Sequence, residues 1–380
     1  MTKTDRERQR KAPILRFKGF TDAWEQRKLS DFAHIIVGGT PSTKKNEYWN
    51  GNIPWMSSGE VNKKRIYKTD KSITKLGLEN SSAKFVPENS VLIALAGQGK
   101  TRGKVAVNNI ELTINQSLAG LIPTSGSYYE FIFYNLEKRY SELRRLSSGA
   151  GSRGGLNKKL IQNIKVQIPN LREQTLISKL SETLDKVLTL YERKYQLYLL
   201  QFQKLQRVIF DNSDDFISLS SLIEIKTGNR NSQDNVKNGK YVFFDRSTEI
   251  KKLNEFDFDE EAIIIPGEGT KFAPKYVNGK YALHQRSYSL YNFSQEIDSK
   301  YLYYFLMTQS NTLLRYSVGT TVPSLRVSTF DHIKVPMYSK ELQMKYASTF
   351  DSLEKLLSQI KEKTNILRSL KQFLLQVLFL

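Results

Sequence analysis

Ile164-Lys165-Val166 recurs as Ile333-Lys334-Val335, 169 residues further on. The same shift lays Leu156 on Leu325, Gln174 on Gln343, Leu184 on Leu353, Lys194 on Lys363, Leu205 on Leu374 and Phe210 on Phe379. A register held constant over so long a stretch marks two copies of one unit, which constrains the fold before any local pattern is considered. Towards the front of each copy the match thins. Gln116 still falls on Gln285 and Leu121 on Leu290, but Gly97 and Gly99 need a shift of 170 to meet Gly267 and Gly269, and Leu29-Ser30 and Gly38 need 190 to meet Leu219-Ser220 and Gly228. Each copy thus has a divergent front and a well-matched back.

The backs read as long helices. From Glu173 to Phe210 there is neither Pro nor Gly, and apolar residues recur every three or four positions. Leu180, Leu184, Val187, Tyr191 and Tyr195 form the expected seam of the first helix, and Leu353, Leu356, Ile360 and Leu367 that of the second, which runs from about Glu341 to Leu378. Each helix would be roughly 55 to 60 Å long at about 1.5 Å per residue. A single apolar stripe of that length needs another helix, and the other copy supplies one. The fronts carry turn-like Gly38-Gly39-Thr40-Pro41 and short β-branched runs such as Val91-Leu92-Ile93 and Ala262-Ile263-Ile264-Ile265, which predict globular parts rich in strands. The fold expected is α+β: two globular domains joined by two long antiparallel coiled-coil helices in a pseudo-two-fold internal repeat. Its boundaries are an N-terminal segment at 1–20, a first domain at 21–170, a helix at 171–212, a second domain at 213–338 and a helix at 339–380.

At 380 residues the chain is long enough for two or three domains. Its 58 basic against 38 acidic residues leave a formal charge of +20, which attracts polyanions, with nucleic acid first among them. The basic residues are spread along the chain rather than gathered on one amphipathic helix, which argues against a membrane surface. The absence of cysteine excludes disulfides, thiol catalysis and cysteine-ligated metals, and fits a reducing cytoplasm. No apolar run approaches the roughly 20 residues that a bilayer span requires, so a cytoplasmic protein without membrane contact is expected.

Two unlike globular parts carried on two similar long helices resemble the specificity subunits of type I restriction-modification systems. The resemblance extends over nearly the whole chain. It is carried by Trp24-Glu25-Gln26-Arg27-Lys28-Leu29, by Gly38-Gly39-Thr40-Pro41-Ser42 followed by Tyr48-Trp49 and Ile53-Pro54-Trp55, and by the order in each half of Gly-containing loop, Ile-Lys-Val, Pro, a Glu and Gln pair and long helix. It implies a DNA-binding subunit without catalysis of its own, in which each globular part is a target recognition domain reading one half of a split double-stranded site. It also implies paired helices that act as a ruler and as the docking surface for two methyltransferase subunits, with restriction (helicase-nuclease) subunits joining the complex. S-adenosylmethionine, ATP and Mg would be bound by those partners and no cofactor by this chain. The second half lacks the Gly-Gly-Thr-Pro and Ile-Pro-Trp signatures, so the two parts are expected to read different half-sequences.

Other motifs carry weaker signals. Ala94 to Thr101 satisfies a loose phosphate-loop pattern ending in Gly99-Lys100-Thr101, but such a loop must open a helix, whereas the following Arg102-Gly103-Lys104-Val105 reads as a turn into a strand. A stand-alone nucleotide-binding enzyme and a coiled-coil scaffold are the rival readings. The acidic run at Glu255, Asp257, Asp259, Glu260 and Glu261 reads as a solvated turn, and His34, His284 and His332 stand too far apart for a metal site. The candidate DNA contacts are Lys63, Lys64, Arg65, Lys100, Arg102, Lys104, Arg153 and Lys158 in the first half, with Asn229, Arg230, Lys271, Arg286 and Arg326 in the second. Arg forks onto guanine, and Lys or Arg holds phosphates. No catalytic residue is expected in this chain.

Overall fold

The computed structural model describes residues 12–97, 101–146, 155–247 and 249–379. The chain forms two compact units, one of residues 1–190 with 364–380 and one of residues 191–363. Because the two long helices span Leu171–Phe210 and Lys340–Leu378, each unit contains the beginning of one helix and the end of the other.

In the first unit a five-stranded sheet has the order Ala33–Val37, Leu118–Pro123, Ser90–Ala94, Val105–Asn108, Arg65–Ile66. Its central strands Ser90–Ala94 and Val105–Asn108 are buried along their whole length, as expected of β-branched runs covered on both faces. A four-stranded sheet, ordered Lys71–Ile73, Trp49–Met56, Leu112–Ile114, Lys84–Val86, packs around Trp55, whose indole N–H donates to the Gly39 carbonyl at 3.0 Å. Gly38 and Gly39 admit no side chain there, since a Cβ on Gly38 would lie 1.8 Å from the Ile114 carbonyl oxygen. A two-stranded pairing of Glu25–Lys28 with Lys165–Ile168 ties the front of the unit to the strand preceding the first long helix. The core joins the sheet and the helix Tyr129–Lys138 to Ile177 of the first long helix and to Val377, Leu378 and Phe379 at the end of the second. Phe379 lies 5.2 Å from Phe131, and Lys138 Nζ donates to its carbonyl at 2.8 Å.

The second unit has one six-stranded sheet, ordered Glu224–Thr227, Ser287–Tyr291, Phe258–Pro266, Lys275–Leu283, Tyr241–Phe244, Lys251–Leu253. Phe216–Ser218 pairs with Lys334–Pro336 as Glu25–Lys28 does with Lys165–Ile168. The aromatic core gathers Phe202 and Phe210 from the end of the first long helix, Phe350 from the second, and Tyr301, Tyr304 and Phe305 from the helix Ser299–Leu306. Phe210 stacks on Phe350 at 5.7 Å and meets Tyr301 edge-on at 5.5 Å.

The buried line along each helix differs from the expected seam. In the first helix it runs through Gln174, Ser181, Leu188, Phe202 and Ile209, with half-buried Tyr195 in the same seven-residue register. In the second it runs through Gln343, Phe350, Leu357, Thr364 and Leu378, with half-buried Lys371 in register. Of the expected seam residues Ile360 is buried and Tyr195 lies on the buried line, whereas Leu180, Leu184, Val187, Tyr191, Leu353, Leu356 and Leu367 are half-buried flanks. The acidic run is not a solvated turn: Asp259, Glu260 and Glu261 lie in the strand Phe258–Pro266, where Glu260 pairs with Lys226 and accepts from Tyr281.

Candidate nucleic-acid interface

Several basic residues picked out in the first half are committed to the protein itself. Arg65 forms a two-pronged ion pair with Glu130 at 2.5 and 2.8 Å, receives the face of Phe133 at 4.7 Å and donates to Tyr134 Oη at 3.2 Å. Burial works against its charge, but Glu130 more than offsets this and raises the guanidinium pKa. Its fork is thus engaged inside the unit. Lys63 bridges Glu60 at 3.0 Å and Asp70 at 2.7 Å, and Lys64, held at φ +59°, pairs with Glu137.

Lys64 and Lys104 are brought together. They line one cavity of about 280 Å³ with Asn62, Glu137 and Tyr140, and Lys104 Nζ donates to Asn62 Oδ1 at 2.7 Å. Arg102 is half-buried beside them, and Lys158 is exposed on the short helix Lys158–Gln162. Lys100 and Arg153 lie outside the described residues. The segment after Thr101 enters the strand Val105–Asn108, which pairs antiparallel with Ser90–Ala94, so the loop opens no helix and lacks the dipole of a phosphate site. Sequence reasoning passed over a second, more polar cleft of about 330 Å³, lined by Asn50, Asn52, Tyr67, Lys68 and Lys71. Tyr67 is 68% exposed there. Its signal was Asn50-Gly51-Asn52, expected as a turn, which instead forms an irregular stretch of the strand Trp49–Met56, with Asn50 in the left-handed conformation.

In the second unit the turn His284-Gln285-Arg286 is the hub. The Gln285 amide N–H donates to the Arg230 carbonyl at 3.0 Å, and Gln285 Nε2 donates to Asn231 Oδ1 at 2.8 Å. Buried His284 accepts the Arg286 N–H on Nδ1 at 3.0 Å, and burial lowers the imidazole pKa. The Arg230 head is bound to Asp257 at 2.8 Å and Glu255 at 3.1 Å. Arg286 instead shares Glu268 with Arg246, two residues missed in the sequence because they lie 22 positions apart on separate loops. Asn229, Lys271 and Arg326 are exposed. Among the described residues no group of three His, Cys, Asp or Glu side chains forms a metal site, and no helix is long and apolar enough to cross a membrane.

The model for the type I restriction modification DNA specificity domain matches residues 21–197 and again 214–368. The chain is 24% identical to the MjaIX type I restriction enzyme specificity subunit of Methanocaldococcus jannaschii, over 93% of this chain and 91% of that one. It is 28% identical to the EcoR124I/EcoR124II specificity subunit of Escherichia coli over 49% of each. The fold is similar to the crystal structure of a type I system S subunit from M. genitalium, with a TM-score of 0.70 at 16% identity, covering 97% of this chain and 99% of that one. Two matches to one domain model, together covering most of the chain, make this a member of the type I restriction modification DNA specificity domain family: a specificity subunit that recognises target DNA and leaves catalysis to partner subunits.

Proposed function

We propose that each half reads one half of a bipartite DNA target and that the two long helices form an antiparallel coiled coil between the recognition domains at 21–170 and 213–338. The observation that carries this reading is the contrast between repeated supports and unlike faces. Both helices begin on the same buried glutamine clamp, yet one unit displays five- and four-stranded sheets and the other a six-stranded sheet. Unlike surfaces present unlike donors and acceptors to the grooves, so the two half-sites differ in sequence. In the first domain the polar cleft of Asn52, Tyr67, Lys68 and Lys71, together with Lys104 and Lys158, supplies the DNA face. In the second, Asn229, Lys271, Arg286 and Arg326 do so.

The partners are two methyltransferase subunits bearing S-adenosylmethionine, joined by restriction subunits that use ATP and Mg. Leu197 in one unit and Ile366 in the other occupy equivalent positions 169 residues apart and are 55% and 59% exposed. Leu200 stands beside the first, and Leu370 and Phe373 beside the second. A large exposed apolar residue at one matched position in each unit supports two copies of one partner. The test is reconstitution. The purified chain should neither methylate nor cut DNA, and should confer site-specific adenine methylation when mixed with its methyltransferase subunit and S-adenosylmethionine. Methyl transfer by the chain alone would overturn the reading.

A further inference from the structure

We infer that Arg246 and Arg286, mounted on Glu268, form a two-guanidinium clamp through which the second recognition domain grips an acceptor-rich edge of DNA. Glu268 accepts from Arg246 Nη1 at 2.7 Å through one oxygen and from Arg286 Nη1 at 2.5 Å through the other. Its carboxylate is 15% exposed, whereas the two arginine side chains are 53% and 58% exposed. One anion therefore holds two cations by one N–H each, both arginine side chains stay more than half exposed, and the three groups sum to a charge of +1. A pair built only for stability gains little from this arrangement. Exposed ion pairs contribute little, and a second guanidinium beside the first adds like-charge repulsion. Two forks around one carboxylate suit an incoming bidentate acceptor.

The mounts are rigid although the heads are exposed. The Gly267 N–H donates to the Arg286 carbonyl at 2.9 Å, the Leu325 N–H to the Gly267 carbonyl at 2.8 Å, and the Gly269 N–H to the Pro323 carbonyl at 3.0 Å. Gly267 is required by this closeness, since a Cβ would lie 2.6 Å from the Arg286 carbonyl oxygen. On the other side, buried Asp245 next to Arg246 accepts from Ser232 at 3.1 Å and Ser247 at 2.6 Å and pairs with Lys251 at 2.6 Å. Backbones fixed before binding spare the ordering cost that a pair of free arginines incurs. The acceptor is either the O6 and N7 edge of guanine or a phosphate, which share this chemistry.

This inference rests on the reading of the chain as a DNA-recognition subunit. The test is selection from a pool of randomised duplexes by the full chain in its methyltransferase complex, comparing the parent with Arg246→Gln, Arg246→Lys and Arg286→Gln. Thermal midpoints matching the parent verify folding, and the lysine variant retains charge while losing the fork. For a guanine contact, the glutamine and lysine variants lose preference at one position of one half-site, with affinity down about tenfold or more. For a phosphate contact, the motif is unchanged, affinity falls uniformly for the glutamine variants, and the slope of log affinity against log salt drops by about 1. Unchanged motif, affinity and slope in both glutamine variants would overturn the clamp alone. A parent that enriches no motif would overturn the DNA reading together with the clamp.

Discussion

Gln174 and Gln343, 169 residues apart, clasp the heads of the two long helices with the same set of hydrogen bonds. Gln174 Oε1 accepts from the Tyr128 N–H at 2.9 Å, and its Nε2 donates to the Gly126 and Pro169 carbonyls at 3.0 and 2.8 Å. Gln343 accepts from the Asp298 N–H at 2.8 Å and donates to the Glu296 and Tyr338 carbonyls, both at 2.9 Å. Both side chains are fully buried. Gln174→Met or Gln343→Met fills much the same volume but strands three backbone groups, so each should cost about 3 kcal/mol in chemical denaturation. A loss below about 1 kcal/mol at both sites would show that water replaces the clamp.

Lys371 and Phe202 also correspond under the 169-residue shift, yet they do opposite chemistry. Lys371 is 12% exposed and reaches Asp185 at 2.6 Å and Glu137 at 3.2 Å over the ring of Tyr134. At the matching place Phe202 packs against Tyr304 at 6.1 Å and Phe350 at 5.4 Å. Burial opposes the Lys371 charge, and Glu137 and Asp185 more than restore it, raising its pKa. Lys371→Met removes a partner from each carboxylate and should cost about 3 kcal/mol near neutral pH. Denaturation curves should show that deficit shrinking towards about pH 4, where Glu137, left with Lys64 alone, takes up a proton more easily than in the parent.

His284 gives the second unit a pH dependence with a definite sign. Burial depresses its folded-state pKa below the usual 6.5, so the unfolded chain binds a proton first as pH falls. The stability it contributes is therefore present above about pH 6.5 and is lost below it. Protonation also removes the Nδ1 acceptor that holds the Arg286 N–H. His284→Asn keeps an acceptor and does not titrate. The difference in denaturation midpoint between about pH 7.5 and about pH 5.5 should be smaller in this variant than in the parent. An equal or larger difference would assign the titration elsewhere.

The clamp glutamines and the strand before each helix were legible because they recur at fixed spacing in both halves. The seam was legible only in part. Its most buried line passes through Gln174, Ser181, Gln343, Thr364 and Lys371, and a search for apolar periodicity skips polar residues that are satisfied inside the fold. Charge was least legible, because a basic residue and its carboxylate meet through folding. Glu130 is 65 positions from Arg65 and Glu137 is 73 from Lys64, so a local basic cluster reads the same whether it faces DNA or closes a core. The Arg246 and Arg286 pair was hidden for the same reason, since Glu268 joins them only in three dimensions.

The last prediction concerns the interval between half-sites, which the proposed coiled coil would set. Inserting one heptad into each helix, after about Leu190 and about Lys363 where each passes from one unit to the other, preserves the seven-residue register of the buried line. The insertion lengthens each helix by about 10 Å at about 1.5 Å per residue. At about 3.4 Å per base pair this corresponds to roughly three pairs. Three pairs also rotate the groove by roughly 100°, given about 10.5 pairs per turn, so twist in protein or DNA has to absorb the mismatch and affinity falls. The half-site sequences themselves should stay unchanged, because no residue of either recognition domain is altered. Methylation mapping of a genome carrying the variant should therefore show the parental half-sites separated by a wider gap. An active, folded variant that still marks the parental gap would remove spacing from the role of these helices and leave them as a docking surface for the methyltransferase subunits.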